Sequence, residues 1–511
     1  MKIIRDKALL ITLEDPVPVL NAIPKSKQVG DETLVYWGIN EVHKLKEFGV
    51  DVPSPIERKY PWAQCMITPF EHQIKTAAFL TLYKRAFCFN EQGTGKTASA
   101  IWASDYLMSL GIIHRVLIIC PLSIMDTAWR AEMFDCAMHR TVDIAYGSAK
   151  KRAATIAGNA EYVIINYDGV KVVHDEIKKG GFDLIIADEA THYKNANTAR
   201  WKKLHKLITD DTWVWMMTGT PAAQSPLDAY GLAKIINPTA VPKWFGSFRD
   251  LVMFRVSQFR WLPKDSATTT VHRVLQPAIR FTKEECLDLP DIVYLTRDVE
   301  LTPQQKKYYA ELKKKMVIKA AGEEITAINA ANMMNKLLQI SSGAVYSDDN
   351  ESIAFDISNR YSVLKEVIDE SSHKVLIFVA YRHTIRVVAE KLKADSITGE
   401  IIQGNVSVAE RTRIIKAFQE NPDPRVLILQ PAAAAHGVTL TAADTVVWWS
   451  PISSLEIYLQ ANARVHRAGQ VNKCSVIHLQ GSIIERHVYG LLRNKIDIHT
   501  KIIKLYQDLI K

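Results

Sequence analysis

Six cysteines are scattered through 511 residues with no Cys-x-x-Cys pair, which leaves neither a disulfide framework nor a zinc-spaced cluster. Cys88 and Cys120 fall inside apolar runs, so these thiols read as buried and free in a reducing compartment. Long hydrophobic runs are missing as well. None approaches the roughly 20 residues of a membrane helix, and the early apolar stretch Ala8 to Leu13 meets an acid before it reaches signal length. The expectation is a cytoplasmic, bacterial or phage-encoded protein with no membrane partner. Only 22 glycines and 20 prolines, with no fixed-period repeat and no low-complexity tract, exclude fibrous and broadly disordered classes. An acidic excess is absent too: 64 lysines and arginines face 55 acids, a net charge of +9 that attracts polyanions.

What is present is core-forming material, 48% hydrophobic residues in a chain long enough for several compact units. Near-continuous apolar runs recur at Ala86–Phe89, Val116–Cys120, Tyr162–Ile165, Leu184–Ala187 and Val214–Met217, then at Val375–Val379, Val426–Leu429, Val446–Trp449 and Ser475–Leu479. Runs of this kind, separated by helix-length stretches, predict parallel strands covered on both faces. The expected fold class is α/β, with two parallel-sheet lobes. Residues 1–60, rich in proline around a strand Glu32–Trp37 and a helix Asn40–Phe48, form a small separate module. Lobe one spans 61–300 with a helical insertion about 223–280. Lobe two spans 301–511, with a helical region about 301–355 and a C-terminal helix.

The polar motifs are expected at the carboxyl ends of these strands, where open parallel sheets present their binding crevice. After Ala86–Phe89 comes Asn90-Glu91-Gln92-Gly93-Thr94-Gly95-Lys96-Thr97, then a helix-forming stretch. Glycines let backbone N–H groups turn inward around phosphates, Lys96 adds a point charge, and Thr97 offers a hydroxyl to Mg²⁺. The strict pattern wants glycine where Asn90 stands. At the end of another apolar strand, Asp188 is placed to hold Mg²⁺ and Glu189 to orient and deprotonate a water. Gln460 to Gln470 carries Arg464 and Arg467, whose spacing predicts one shared helix face and two guanidiniums for a γ-phosphate. The set points to an NTP hydrolase working on a Mg²⁺-bound triphosphate. The groups Lys150-Lys151-Arg152, Lys202-Lys203 and Lys313-Lys314-Lys315 read as solvated faces, and Trp448-Trp449 as core with a partly exposed edge.

Several further segments, in order, carry a resemblance: Thr68-Pro69-Phe70-Glu71-His72-Gln73, the loop Glu91–Thr97, Pro121-Leu122-Ser123 with Trp129, Asp188–Asn195, Thr218-Gly219-Thr220-Pro221, Leu289-Pro290, Lys374–Tyr381, Thr441–Asp444 and Arg464–Gln470. From about Met66 to Arg493 the chain resembles the Swi/Snf-type family of superfamily-two helicase-like ATPases. That likeness implies ATP in particular as the nucleotide and two RecA-like lobes, with Gln73 near adenine, Gly93, Thr94, Gly95, Lys96 and Thr97 around the phosphates, and Gly437 and Gln460 on the nucleotide from lobe two. It implies a nucleic-acid track at Pro121, Leu122, Tyr167, Lys194, Asn195, Arg382, Thr398 and Thr439.

The implied activity is a DNA-dependent ATPase acting on duplex or branched DNA as a monomer, with replication or transcription proteins as further partners. Two other readings stay open: a strand-separating DNA or RNA helicase, and a catalytically weak nucleic-acid-binding scaffold. Three departures from the family pattern stand out: Thr191 replaces the usual histidine, with His192 one place later; Ala432–Ala435 replace glycines; and Thr439 replaces a common asparagine. In the first 60 residues, Val35-Tyr36-Trp37, Leu45, Phe48, Gly49, Pro53 and Pro55 look like a shortened HARP-type module.

Overall fold

The computed structural model describes residues 1–222, 225–257, 260–286, 289–322, 327–346, 352–404, 406–434 and 438–494. The chain divides into two units, Met1–Cys286 and Leu287–Lys511.

In the first unit, the N-terminal residues build a four-stranded antiparallel sheet in the order Lys2–Ile4, Ala8–Ile11, Glu32–Tyr36, Ser26–Val29. Alternation in Glu32–Tyr36 turns Thr33 and Val35 inward. They meet the helix Ile39–Glu47, whose Val42 and Leu45 close a core with Leu9, Trp37 and Val52. This module is stitched to the rest of the first unit: His43 Nε2 donates to the Thr81 carbonyl at 2.8 Å, and the Tyr60 hydroxyl to Asp105 Oδ2 at 2.7 Å.

Behind it stands a seven-stranded sheet in the order Ala278–Ile279, Arg85–Cys88, Trp213–Met217, Leu184–Asp188, Val116–Cys120, Tyr162–Asn166, Val142–Ile144. Every pairing is parallel. Val116–Cys120, Leu184–Asp188 and Trp213–Met217 are buried along their whole length, as two-sided covering requires. The insertion after Trp213–Met217 is not purely helical. Between its helices Phe245–Val252 and Ala267–Val274 it holds an antiparallel hairpin, Met253–Ser257 with Arg260–Pro263, and it returns through Ala278–Ile279 to pair beside the glycine-loop strand.

The second unit carries a six-stranded sheet in the order Ile292–Asp298, Cys474–Gln480, Ala443–Trp448, Lys374–Phe378, Val426–Leu429, Gly399–Ile402, again all parallel. Its first strand corrects the expected boundary at 300/301. Ile292–Asp298 pairs residue for residue with Cys474–Gln480, so the division falls at Cys286/Leu287. The helices Pro303–Gly322 and Ala327–Ser342 follow in the chain. Of the expected C-terminal helix, Ile483–Arg493 is described, and residues 495–511 lie outside the described residues. Trp448 and Trp449 are both fully buried rather than half-exposed, with their indoles donating to Asn462 Oδ1 and the Ser342 carbonyl. Among the described residues no helix is long and apolar enough to cross a membrane.

Candidate nucleotide site and nucleic-acid edge

The glycine loop leaves Arg85–Cys88 and enters the 14-residue helix Lys96–Ser109 through Gly95. Gly93 and Gly95 have φ of +86° and +77°, a left-handed backbone that favours glycine. A Cβ at Gly95 would lie 1.9 Å from Gln73 Nε2. The loop therefore faces a helix N-terminus, where orphan amides and the macrodipole favour anions. Lys96 Nζ lies 2.9 Å from the Asn90 carbonyl and 3.1 Å from that of Glu91. Thr94, buried, donates its hydroxyl to the same Glu91 carbonyl at 2.8 Å.

Gln73, 22 positions upstream of Gly95 and on the helix Glu71–Leu82, is brought against this loop. Its Oε1 accepts the Phe70 amide at 2.9 Å and its Nε2 donates to the Thr94 carbonyl at 3.4 Å. His72 joins it, donating Nε2 to the Thr94 carbonyl at 2.8 Å while its ring stacks on Phe70. Asn90 explains the departure from the strict glycine pattern. Fully buried, it donates Nδ2 to Thr76 Oγ1 at 2.8 Å and accepts the Phe281 amide at 3.0 Å, tying helix, loop and returning strand together.

The acids sit two strand spacings away, roughly 10 Å along the same edge, because Trp213–Met217 intervenes. Asp188 Oδ2 accepts the Trp129 indole at 3.0 Å, and Oδ1 accepts the Glu189 amide at 2.9 Å. Trp129 issues from a π-helical turn, Met125–Arg130, a feature that often marks functional sites. Glu189 is left-handed, with φ 47° and ψ 55°. A non-glycine residue held there costs about 1–3 kcal/mol and persists only where its surroundings enforce it. The buried Tyr167 hydroxyl donates to the Asp188 carbonyl and does part of that enforcing.

Burial pushes the Tyr167 hydroxyl far above its ordinary range, with the charges of Asp188 and Glu189 adding to the effect. It is a constant donor. Burial likewise raises the thiols of Cys88, to about 11, and Cys120, so both beneath this edge are inert. Thr218 closes the row, its amide on the Cys88 carbonyl at 3.0 Å, while the Cβ position of Gly219 comes within 3.4 Å of Gln92. Left-handed glycines, a lysine ammonium, Thr97 in the first helical turn and a buried acid on the same edge are the donor set that a magnesium-bound triphosphate needs.

The expected nucleic-acid contacts divide. Leu122 is exposed beside a buried Pro121, and Asn195 is exposed with its Oδ1 accepting the Asn197 amide at 2.9 Å. Lys194 pairs with Asp228 at 3.3 Å. Tyr167 is not a surface contact at all, since its hydroxyl is spent inward. Arg152, expected on a solvated face, is buried and donates to the carbonyls of Gly147 and Ala145 and to Asn166 Oδ1.

The rule that motifs sit at carboxyl edges holds for the first sheet and fails for the second. Arg382 is exposed at the carboxyl edge, following Lys374–Phe378. Thr398 precedes Gly399–Ile402 at the amino edge, where its hydroxyl donates to Asp423 Oδ1 and accepts the Arg425 amide. Arg464 and Arg467 are also at the amino edge, and they share no helix face because the helix Leu455–Asn462 ends before them. They sit in a turn that Gln470 fixes, its Nε2 donating to the carbonyls of Thr441, Ala443 and Val465. The Arg464 carbonyl accepts the Leu440 amide at 2.9 Å, which sets Thr439 next to the arginines. Gln460 is buried, with Nε2 3.4 Å from Glu456 Oε1. Gly437 lies outside the described residues.

Residues that sequence reasoning missed are Asn90 as a staple, Trp129 on Asp188, and Tyr167 as the donor behind the acid pair. Asn90 is visible as a departure from a glycine pattern and Trp129 and Tyr167 are visible as motif members, but the contacts of the three carry no local signal.

Residues 72–343 match the family model described as the SNF2-related domain, and residues 359–469 match the Helicase conserved C-terminal domain. Mouse chromodomain-helicase-DNA-binding protein 1-like is 25% identical over 438 residues, covering 81% of this chain and 47% of that protein. The uncharacterized ATP-dependent helicase of Mycoplasma genitalium is 26% identical over 403 residues, 76% of this chain and 37% of that one. Protein p41 of Acyrthosiphon pisum secondary endosymbiont phage 1 is 25% identical over 420 residues, 78% of this chain and 88% of p41. The chain thus spans about half or less of the mouse and mycoplasma proteins, and most of the phage one. Among solved structures, S. cerevisiae Dbp5 bound to RNA and ADP BeF3 matches with a TM-score of 0.52 at 14% identity, over 91% of this chain and 99% of that one. The two parallel sheets with their helices are RecA-like lobes. The Sulfolobus solfataricus SWI2/SNF2 ATPase core in complex with dsDNA matches at a TM-score of 0.41 and 21% identity, over 84% and 92% of the two chains.

Proposed function

Because the chain belongs to the SNF2-related family of helicase-like, superfamily-two ATPases, we propose that it hydrolyses ATP with Mg²⁺ on duplex or branched DNA and uses the cycle to translocate, remodel forks, anneal strands or displace bound protein. The observation that carries this is one sheet edge holding both the Gly93–Thr97 loop and an Asp188-Glu189 pair whose glutamate is fixed in a strained backbone.

On this proposal Gln73 reads the adenine side. The loop amides and Lys96 bind the phosphates, and Thr97 and Asp188 hold the metal, which when bound neutralises phosphate charge. Glu189 orients the attacking water and takes its proton. Arg464 and Arg467 stabilise the charge of the transferring phosphoryl group, and Gln460 supports them. Leu122, Lys194, Asn195, Arg382 and Thr439 are the proposed contacts to the DNA backbone, through which stepping stays sequence-tolerant.

The test is ATP turnover measured against single-stranded, duplex, forked and RNA ligands at a stated salt concentration. Turnover rises most with duplex or forked DNA. Lys96→Ala and Glu189→Gln each lower stimulated turnover by at least about a hundredfold while the thermal midpoint holds. Unchanged turnover in both variants defeats the site assignment, and ATP-dependent opening of long duplexes replaces translocation with strand separation.

A further inference from the structure

The insertion that leaves the first sheet after Trp213–Met217 carries a surface the proposed ATPase cycle does not use. From Lys243 to Arg273 it holds six lysines and arginines against two aspartates, in a chain whose whole excess is 64 against 55. Large side chains are exposed on the same stretch: Trp244 is 67% accessible, Phe254 46% and Val256 49%.

Pleating sorts the hairpin into two faces. Phe254 lies opposite Leu262, the register shifts between Arg255 and Ser257, and Phe254 and Val256 are both exposed. Arg255 lies opposite Trp261 on the other side, and the Arg249 guanidinium stacks over the Trp261 ring at 4.0 Å. Lys243 covers the Trp244 ring from 5.2 Å. A two-stranded ribbon is marginal in water by itself. Here it is pinned from one side by Arg249 on Trp261 and by Lys264 Nζ on the Asp250 carbonyl, while the Phe254 ring opposite stays open.

Exposed rings on a locally basic segment match a strand of unpaired nucleotides, whose bases present flat faces and whose phosphates carry the opposite charge. A blunt duplex keeps its bases stacked inside and would meet only the cations. A second copy of this chain would bring the same positive charge against itself.

We propose that the strands Met253–Ser257 and Arg260–Pro263, together with Trp244, form a stacking platform for an unpaired DNA strand. This rests on the reading of the protein as a DNA-dependent ATPase, since only that makes an unpaired strand the relevant polyanion. A fork or gap then offers both elements at once: duplex to the motor edge, and the free strand to the hairpin.

The experiment measures equilibrium binding of the full chain, without nucleotide, to a single strand, a blunt duplex and a fork of matched length. It compares wild type with Trp244→Ala and Phe254→Ala, neither of which belongs to the ATPase machinery. Each ring removed weakens single-strand and fork binding about tenfold. Blunt-duplex affinity, duplex-stimulated ATP turnover and the thermal midpoint stay unchanged. In a second measurement, an oligonucleotide carrying 5-iododeoxyuridine crosslinks under light to the peptide that contains Trp244 and Phe254. Equal loss on all three ligands, no loss on any, or crosslinks confined to other peptides overturns the platform while DNA-stimulated turnover still stands. A wild-type dimer that Phe254→Ala dissociates assigns the face to self-association and overturns it as well. Absence of DNA-stimulated turnover in the wild type defeats the parent reading, which binding to the single strand alone would not rescue.

Discussion

Glu189 shows how much of the candidate site depends on a residue that would not touch substrate. Its left-handed backbone, φ 47°, is held from behind by the Tyr167 hydroxyl on the Asp188 carbonyl. Tyr167→Phe keeps the buried ring, against which His192 packs at 4.4 Å, and removes only the donor. One lost hydrogen bond at a strained turn is worth roughly 1–2 kcal/mol, so kcat for ATP should fall about tenfold. KM for ATP and affinity for DNA should hold, because the Lys96 loop is untouched and Tyr167 faces no solvent. A loss of DNA affinity instead would restore Tyr167 to the nucleic-acid track. Lys96, Asp188 and Glu189 stand out in the sequence as candidates because the chemistry proposed for them is bound to short local patterns. Tyr167 and Thr398 were misplaced for a common reason: a polar residue beside a strand does not announce which way it points or which end of the sheet it occupies. That depends on strand pairing across the sheet, which no local pattern encodes.

Elements were legible in proportion to their burial. The apolar runs marked the central strands of both sheets, whereas Ile292–Asp298, exposed over its last five residues, and the two-residue Ala278–Ile279 carry no such run. The hairpin in the insertion escaped for the same reason. Arg464 and Arg467 have helical spacing, but Gln470 captures three carbonyls around them and holds a turn. A long-range staple of the same kind joins two helices of the second unit. Arg360 on Ser358–Glu370 pairs with Glu485 of Ile483–Arg493 at 2.8 Å, both side chains essentially inaccessible. Glu485 also accepts the Gly481 and Ser482 amides at 2.7 and 3.0 Å. Glu485→Ala therefore strands a buried guanidinium and two amides, and should destabilise the second unit by about 3–5 kcal/mol in denaturant unfolding. Arg360→Met with Glu485→Leu removes both charges and should recover a large part of that loss. A double variant as unstable as Glu485→Ala would mean that the amide cap, not the ion pair, sets the stability.

At the scale of the whole molecule, two units with separate hydrophobic cores predict two unfolding transitions, and their response to acid should distinguish them. His478 lies on the strand Cys474–Gln480 of the second sheet, fully buried, stacked on Tyr489 at 4.2 Å and sharing a hydrogen bond of 2.9 Å with the Tyr458 hydroxyl. Burial first, and the charge of Arg493 second, push its pKa down to about 3, so the ring stays neutral in the fold. In the unfolded chain it titrates near 6.5. Between these two values the unfolded state binds the extra proton, so stability rises with pH across the window and is lost as pH falls from about 6.5 toward 3. The slope from this residue alone approaches about 1.4 kcal/mol per pH unit. His478→Gln can keep a hydrogen bond with Tyr458 but cannot titrate, so the variant's second-unit transition should lose that slope. The first-unit transition should keep its own pH dependence. The check is a series of denaturant curves from pH 7 to 4, followed by fluorescence and far-ultraviolet dichroism. A second-unit slope identical in variant and wild type would place the acid sensitivity elsewhere in the unit.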